Sequence, residues 1–468
     1  MPSPRYNRAR SVAGCVRSPP RIEPYTSKAA STCPITNRFA TVPTVAGTFS
    51  PLRPRLRLDG HSYSPAVLEQ IVTAAARLGS FADAAFAVGL TGLSISPRHV
   101  QQLTQEIGAD LGRQRDAQAV QRRRRQLPPQ VEQTPQAVVV EIDGGRLRTR
   151  ASGQGRGVHQ AENKEDKIAC LATLESVEHA ADPQPEPTPT FVQPRRVQRL
   201  VQQMAGQAAE SGRNEDDSDA ESRAAAESGV GVELPSDAGS ADEAWTPKRL
   251  LRTCVASMAD SRSFGPMVAG ETQARDFYAA PRRAFVADGL AYNWSIQHGY
   301  FPDFEPIVDF LHVVCYLYKA AYGLGGDEAL RWSRYEGWLR RCWQGQVAEV
   351  VVELTAHQGQ VGCPPPAAEL AASDVRRLVA EALSYLSNNA ERMDYPRYRR
   401  LGLPTTSSLV ESLVGEFNAR VKSKQKYWNR GAGAEAMLQV RSAYLSEDGR
   451  LQRYFVQRPG NPYRRRAA

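Results

Sequence analysis

Three acids in this chain stand where a carboxylate can do metal chemistry. Asp143 closes the run "VVVEID" and is followed by two glycines; Asp288 closes "AFVAD" and is followed by one. Glu411 lies in "PTTSSLVESLVGEFNARVKSKQKYW". A carboxylate at a strand end, with glycine beside it, leaves room for a cation and a phosphate. Hard oxygen ligands of this kind hold two Mg²⁺ ions roughly 3.5–4 Å apart, one activating the attacking oxygen and one stabilising the leaving oxygen. Asp-Gly is also a standard hairpin turn, so neither aspartate is decisive alone. Glu141 is two residues from Asp143 on the same strand face and is its nearest rival or helper. Asp309 and His312, spaced i and i+3 in "EPIVDFLH", are expected to share a helix face, either as support for a metal site or as a polar pair inside a helical domain.

Glu411 begins a helix whose buried stripe is Val410, Leu413, Val414, Phe417 and Val421, with Ser407 or Ser408 as its cap. An acid in a first helical turn is also favoured by the helix dipole alone. Beyond it Arg420, Lys422, Lys424, Lys426 and Trp428 form a basic, aromatic-bearing tail suited to phosphates and bases. Arg146 and Arg148 are placed on a return strand after Gly144-Gly145 and are expected on alternate faces, so that only one of the two faces nucleic acid.

These residues need a scaffold. "AVVVEIDGG" reads as one strand, "GRLRTRAS" as its hairpin partner, 167–176 as a third and "RRAFVAD" as another; "FEPIVDFLHVVCYLYKAAYGL" reads as an amphipathic helix. Residues 250–280 read as helical or mixed, and further helices follow over 326–390 and 405–425. Ahead of the strands, helices are predicted near 65–78, 81–89 and 96–108. Ala84, Ala85 and Val88 would face Val100 and Leu103, Ser96 would cap the third helix, and Arg98, Gln101 and Gln102 would lie near a DNA groove. An ordinary small helical bundle fits the same pattern.

The resulting division is an irregular basic region at 1–60, a helical domain expected to bind DNA at 61–118 and a basic, proline-rich linker at 119–136. The core opens at 137–209. Residues 210–243 hold eleven acids against two basic residues and read as a disordered acidic insertion. The core continues at 244–325, a helical insertion covers 326–400, and a last helix and basic tail cover 401–468.

The chain has 468 residues, 23% of them charged and 41% apolar, and a formal net charge of +9, which mildly favours an anionic partner. Its seven cysteines (15, 33, 170, 254, 315, 342 and 363) form no close pair, so neither a zinc ribbon nor a disulfide framework is indicated. The basic N-terminus lacks the apolar core of a signal peptide, and no apolar run reaches the ~18 residues of a membrane span. A cytoplasmic protein with no membrane role is expected.

The motifs "VVVEIDGGRLRTR", "RRAFVADGLAYNW", "FEPIVDFLHVVCYLYKAA" and "MDYPRYRRLGLPTTSSLVESLVGEFNARVKSKQKYW", in that order, resemble a bacterial insertion-sequence transposase of the DDE type with a Mutator-like catalytic domain. The resemblance spans roughly 65–455 with gaps. It implies an α/β fold: a ribonuclease-H-like core with a helical insertion in the 123 residues between Asp288 and Glu411, preceded by a small helix-turn-helix-like domain. It implies a catalytic, metal-binding triad of Asp143, Asp288 and Glu411, with Asp309 and His312 in support, or Asp309 in place of Asp288. It further implies two Mg²⁺ or Mn²⁺ ions, DNA partners (terminal inverted repeats and a target) and a homo-oligomer in the active complex. The expected activity is cleavage at element ends and strand transfer. The alternatives are a nuclease without strand transfer and a catalytically inactive, transposase-derived DNA-binding protein. "TTSS" stands where related enzymes often carry glycines.

Overall fold

The computed structural model describes residues 21–26, 32–37, 40–41, 48–49, 63–150, 161–212, 246–365, 370–422 and 426–457. The acidic stretch falls almost wholly outside them, as does Lys424. The N-terminal region, expected to be irregular, contains two short antiparallel pairs: β1 (Arg21–Thr26) with β2 (Thr32–Asn37), and β3 (Ala40–Thr41) with β4 (Thr48–Phe49).

The chain divides into two units, 1–104 with 449–468 and 105–448. In the first, α1 (Pro65–Arg77) and α2 (Phe81–Gly89) are capped by Ser64 and Ser80, whose hydroxyls accept from Val67 N and Asp83 N. The third helix, α3 (Pro97–Arg123), is far longer than predicted. It runs through 109–123, so Arg122 and Arg123 end a helix. Ala84, Ala85, Val88, Val100 and Leu103 are all buried, and Ser96 Oγ accepts from His99 N as expected of a cap. Arg98 is exposed.

The second unit is built on a mixed five-stranded sheet of order β7-β6-β5-β8-β9. The strands are β5 (Ala137–Arg150), β6 (Ala161–Glu175), β7 (Lys248–Ser257), β8 (Arg282–Ala287) and β9 (Glu305–Val308). β6 is antiparallel to β5 and β7; β8 and β9 run parallel to β5. Ala137–Ile142 is buried on both faces, as a near-continuous apolar run at the centre of a covered sheet should be.

Three predicted boundaries are corrected. No turn forms at Gly144-Gly145: β5 continues to Arg150, and "GRLRTR" is its second half. The hydrogen-bonded ladder to 161–175 outweighs the local turn signal. "EPIV" is the edge strand β9 and not the start of a helix, because it pairs in register with Ala284–Ala287. A further strand, β7, lies inside the stretch predicted as helical or mixed.

Val138, Val140, Ile142 and Phe285 pack on one sheet face under α6 (Ser261–Ala274) and α7 (Ala291–Tyr300). Ala137, Val139, Ala172, Ala284 and Val286 point to the other face. That face joins one large core with α4 (Pro189–Val192), α5 (Pro194–Gly212), α8 (Phe310–Gly323), α9 (Glu328–Trp343), α10 (Val347–Val361), α11 (Val375–Asn389) and α12 (Tyr395–Arg400). The final helix of the sheet layer, α13 (Ser408–Val421), packs across β5 and β6 on the same side. Among the described residues no helix is long and apolar enough to cross a membrane.

Candidate metal centre

Strand periodicity and register assemble the site. Odd-numbered residues of β5 point to the large core, so Glu141 and Asp143 follow Ala137 and Val139 on that face. The β5–β8 pairing ends at Ile142 with Ala287, so one step further Asp143 faces Asp288. The β8–β9 pairing ends at Ala287 with Val308, so one step further Asp288 faces Asp309; Asp309 N donates to Ala287 O at 2.9 Å. Three aspartates thus stand in a row: Asp143 within β5, where its parallel pairing with β8 stops, and Asp288 and Asp309 just beyond the carboxyl ends of β8 and β9.

Glu411 approaches from α13, and two other acids place that helix. Glu141, fully buried, accepts from Val410 N at 2.7 Å through Oε2 and so satisfies a first-turn N–H of α13. Asp309 Oδ1 accepts from Ser407 N at 2.7 Å. Ser407 occupies the cap position, but its hydroxyl donates to Glu411 Oε1 at 3.0 Å in place of capping the backbone. All five residues of the predicted stripe on α13 are buried.

Asp309 caps α8 rather than lying within it. Its two oxygens take Leu311 N, His312 N, Ser407 N and His312 Nδ1, the last at 2.6 Å. The donor atoms of Asp309, His312 and Glu411 lie within 4.8 Å of one another, a spacing that could hold a metal. With four donors on Asp309, that residue is better placed to orient than to coordinate. Asp288 uses only Oδ1, for Leu290 N and Asn293 Nδ2, and it is the freer ligand.

The charges are mutually felt. Burial, then the Asp288 charge, pushes Asp143 up to about 6. Burial and the Asp309 charge push Glu411 up to about 8. Burial raises Glu141 well above the carboxylate range. Burial opposes a charged His312, but the hydrogen bond and charge of Asp309, with Asp288 and Glu411, prevail and raise it to about 10. A crowd of carboxylates that binds protons this tightly lacks positive charge. Glu411 Oε2 and Glu141 Oε1 are buried with no hydrogen-bond partner. Oxygen donors, excess negative charge and an orphaned carboxylate oxygen fit a divalent cation.

The glycines have different roles from those expected. Gly289 has φ +93°, and a Cβ there would stand 2.7 Å from Tyr385 Cε2. It makes room for Tyr385, whose hydroxyl donates to Asp288 O at 3.1 Å. A Cβ on Gly144 would stand 2.7 Å from Asp166 O, and one on Gly145 3.2 Å from Asp166 Oδ1. Both make room for β6.

The basic candidates fare unevenly. Arg146 and Arg148, two apart on one strand, share a face, opposite to that of Asp143. Arg146 is exposed and Arg148 half-buried. Arg420 is buried. Trp428 is also buried, donating from Nε1 to Val421 O at 2.9 Å and bridging the far end of β5 at Thr149; it is no exposed stacking platform. Lys422 acts electrostatically on Asp166. Asp166 itself escaped the sequence reading: in "AENKEDKIAC" nothing separates it from its acidic neighbours until the register sets it beside the site.

The chain matches no family model, and no curated protein is a significant match.

Proposed function

We propose that this chain is a DDE-type DNA transposase that cleaves DNA at the ends of an insertion element and joins them to a target. The observation that carries the reading is the row of Asp143, Asp288 and Asp309 across three parallel strands, where the β5–β8 and β8–β9 pairings stop, with Glu411 brought over it by α13. The strand order β7-β6-β5-β8-β9, with only β6 antiparallel to its neighbours, is the order a ribonuclease-H-like core would have. The helices between Asp288 and Glu411 correspond to the helical insertion such a core would carry.

In this reading Asp143, Asp288 and Glu411 hold two Mg²⁺ or Mn²⁺ ions. When bound, the ions supply an activated attacking oxygen and charge stabilisation for the leaving oxygen of a phosphodiester. The chain's own residues do the rest. Glu141 and Asp309 fix the start of α13 and with it Glu411. Asp309 holds His312 through Nδ1, leaving Nε2 to face the carboxylates or the DNA backbone. Arg98 in the first unit and Arg146 on β5 are exposed cations available to phosphates. Two element ends must be joined, which calls for a multimer of the chain.

The test is an assay of nicking and strand transfer on DNA carrying the sequences on either side of the gene, with and without Mg²⁺. Cleaved and joined products that need the metal are expected. Cleavage without joining would replace the proposal with a nuclease, and DNA binding without either would make the chain a binding protein.

A further inference from the structure

Asp166 is fully buried, and its carboxylate oxygens have no hydrogen-bond partner beyond the residue's own backbone N–H. Few native groups are left in this state, because an unpaired buried carboxylate opposes folding. The register shows where it sits. Asp166 pairs across the ladder with Gly145, two residues from Asp143, and Asp143 pairs with Ile168. The two acids are therefore diagonal neighbours on one face, a separation of roughly 7–8 Å or less that two side chains can bridge. Gly144 and Gly145 leave the space that Asp166 fills. Lys422 contributes positive charge nearby but makes no hydrogen bond to either oxygen.

We propose that Asp166 is a fourth acidic ligand of this centre and shares a divalent cation with Asp143. This rests on the reading of Asp143 as a cation ligand. It extends the site along β5 and β6, away from the row formed with Asp288 and Asp309, and gives one of the two ions its own acid. It also accounts for two consecutive glycines inside a strand, where glycine otherwise weakens the ladder.

The experiment is a calorimetric titration of the full chain with Mn²⁺ alone, without DNA, paired with thermal unfolding in chelator and in Mn²⁺. Asp166→Asn should lose one class of Mn²⁺ site, or bind it at least tenfold more weakly. Its melting temperature in chelator should equal or exceed that of the wild type, because a buried charge is gone. Asp288→Asn should weaken Mn²⁺ binding separately. Wild-type stoichiometry and affinity in Asp166→Asn would overturn the inference and leave the Asp143–Asp288–Glu411 centre standing. Absence of Mn²⁺ binding by the wild type would overturn both. Should Asp166→Asn not fold, Gly145→Ala decides: its Cβ presses on Asp166 Oδ1, so weaker Mn²⁺ binding is expected, and unchanged binding overturns the inference.

Discussion

At the scale of the residue, the site is a set of acids with unequal duties. Glu141, the rival to Asp143, is a buried acceptor for the first turn of α13. Glu141→Ala leaves the Val410 N–H without that acceptor, and a loss of about 1–3 kcal/mol in denaturant unfolding is expected. A smaller loss is expected for Glu141→Gln, which keeps an acceptor oxygen. If the two variants unfold alike, the helix does not depend on this bond.

The protonation of the site gives a second residue-scale prediction. Asp143 rises from 3.8 to about 6, Glu411 from 4.5 to about 8 and His312 from 6.5 to about 10 on folding. All three hold protons more tightly folded than unfolded. Their contribution to stability is complete below the unfolded values and is lost as pH rises through the folded ones. For the acids that window is about pH 4 to 8; for His312 it is about 6.5 to 10. In chelator, the melting temperature should therefore fall from pH 5 to pH 8 more steeply for the wild type than for Glu411→Gln, and Mn²⁺ at pH 8 should reverse part of the fall. Equal slopes would contradict the crowding of charge described above.

At the scale of the element, local signals located the helices well and the strands less well. The cap of α3 at Ser96 and the apolar stripe of α13 were readable because helix signals lie within a few residues of one another. The continuation of β5 through Gly144-Gly145 was not, because its partners are Asp166 and Lys167, some twenty residues on, and nothing local announces them. The same holds for "EPIV", a strand only because Ala284–Ala287 is there to pair with it. Gly289 illustrates a glycine fixed by both backbone and neighbour, with φ +93° and Tyr385 where a Cβ would go. Gly289→Ala should cost about 1–3 kcal/mol by strain at a non-glycine positive φ and should displace α11 from Asp288. Chemical denaturation measures the first, and Mn²⁺ affinity the second; a neutral result in both would remove the role assigned to the Gly289–Tyr385 contact.

At the scale of the whole molecule, the three acids of the proposed triad come from segments 145 and 123 residues apart, and the fold brings them close enough for their charges to interact. That convergence was readable only through the resemblance of the four motifs, since spacing along the chain carries no information about a shared face. The cationic half of the expectation was less readable. Burial of Trp428 and Arg420 depends on long-range packing that a run of basic residues does not encode, whereas the shared face of Arg146 and Arg148 follows from their spacing in any regular strand. The most direct test of the central claim is to measure Mg²⁺-dependent cleavage and DNA binding side by side for the wild type, Asp143→Asn, Asp288→Asn and Glu411→Gln. Loss of cleavage by roughly 10³-fold or more in each variant, with DNA binding and folding retained, is expected. Cleavage at the wild-type rate in the variants would contradict the account.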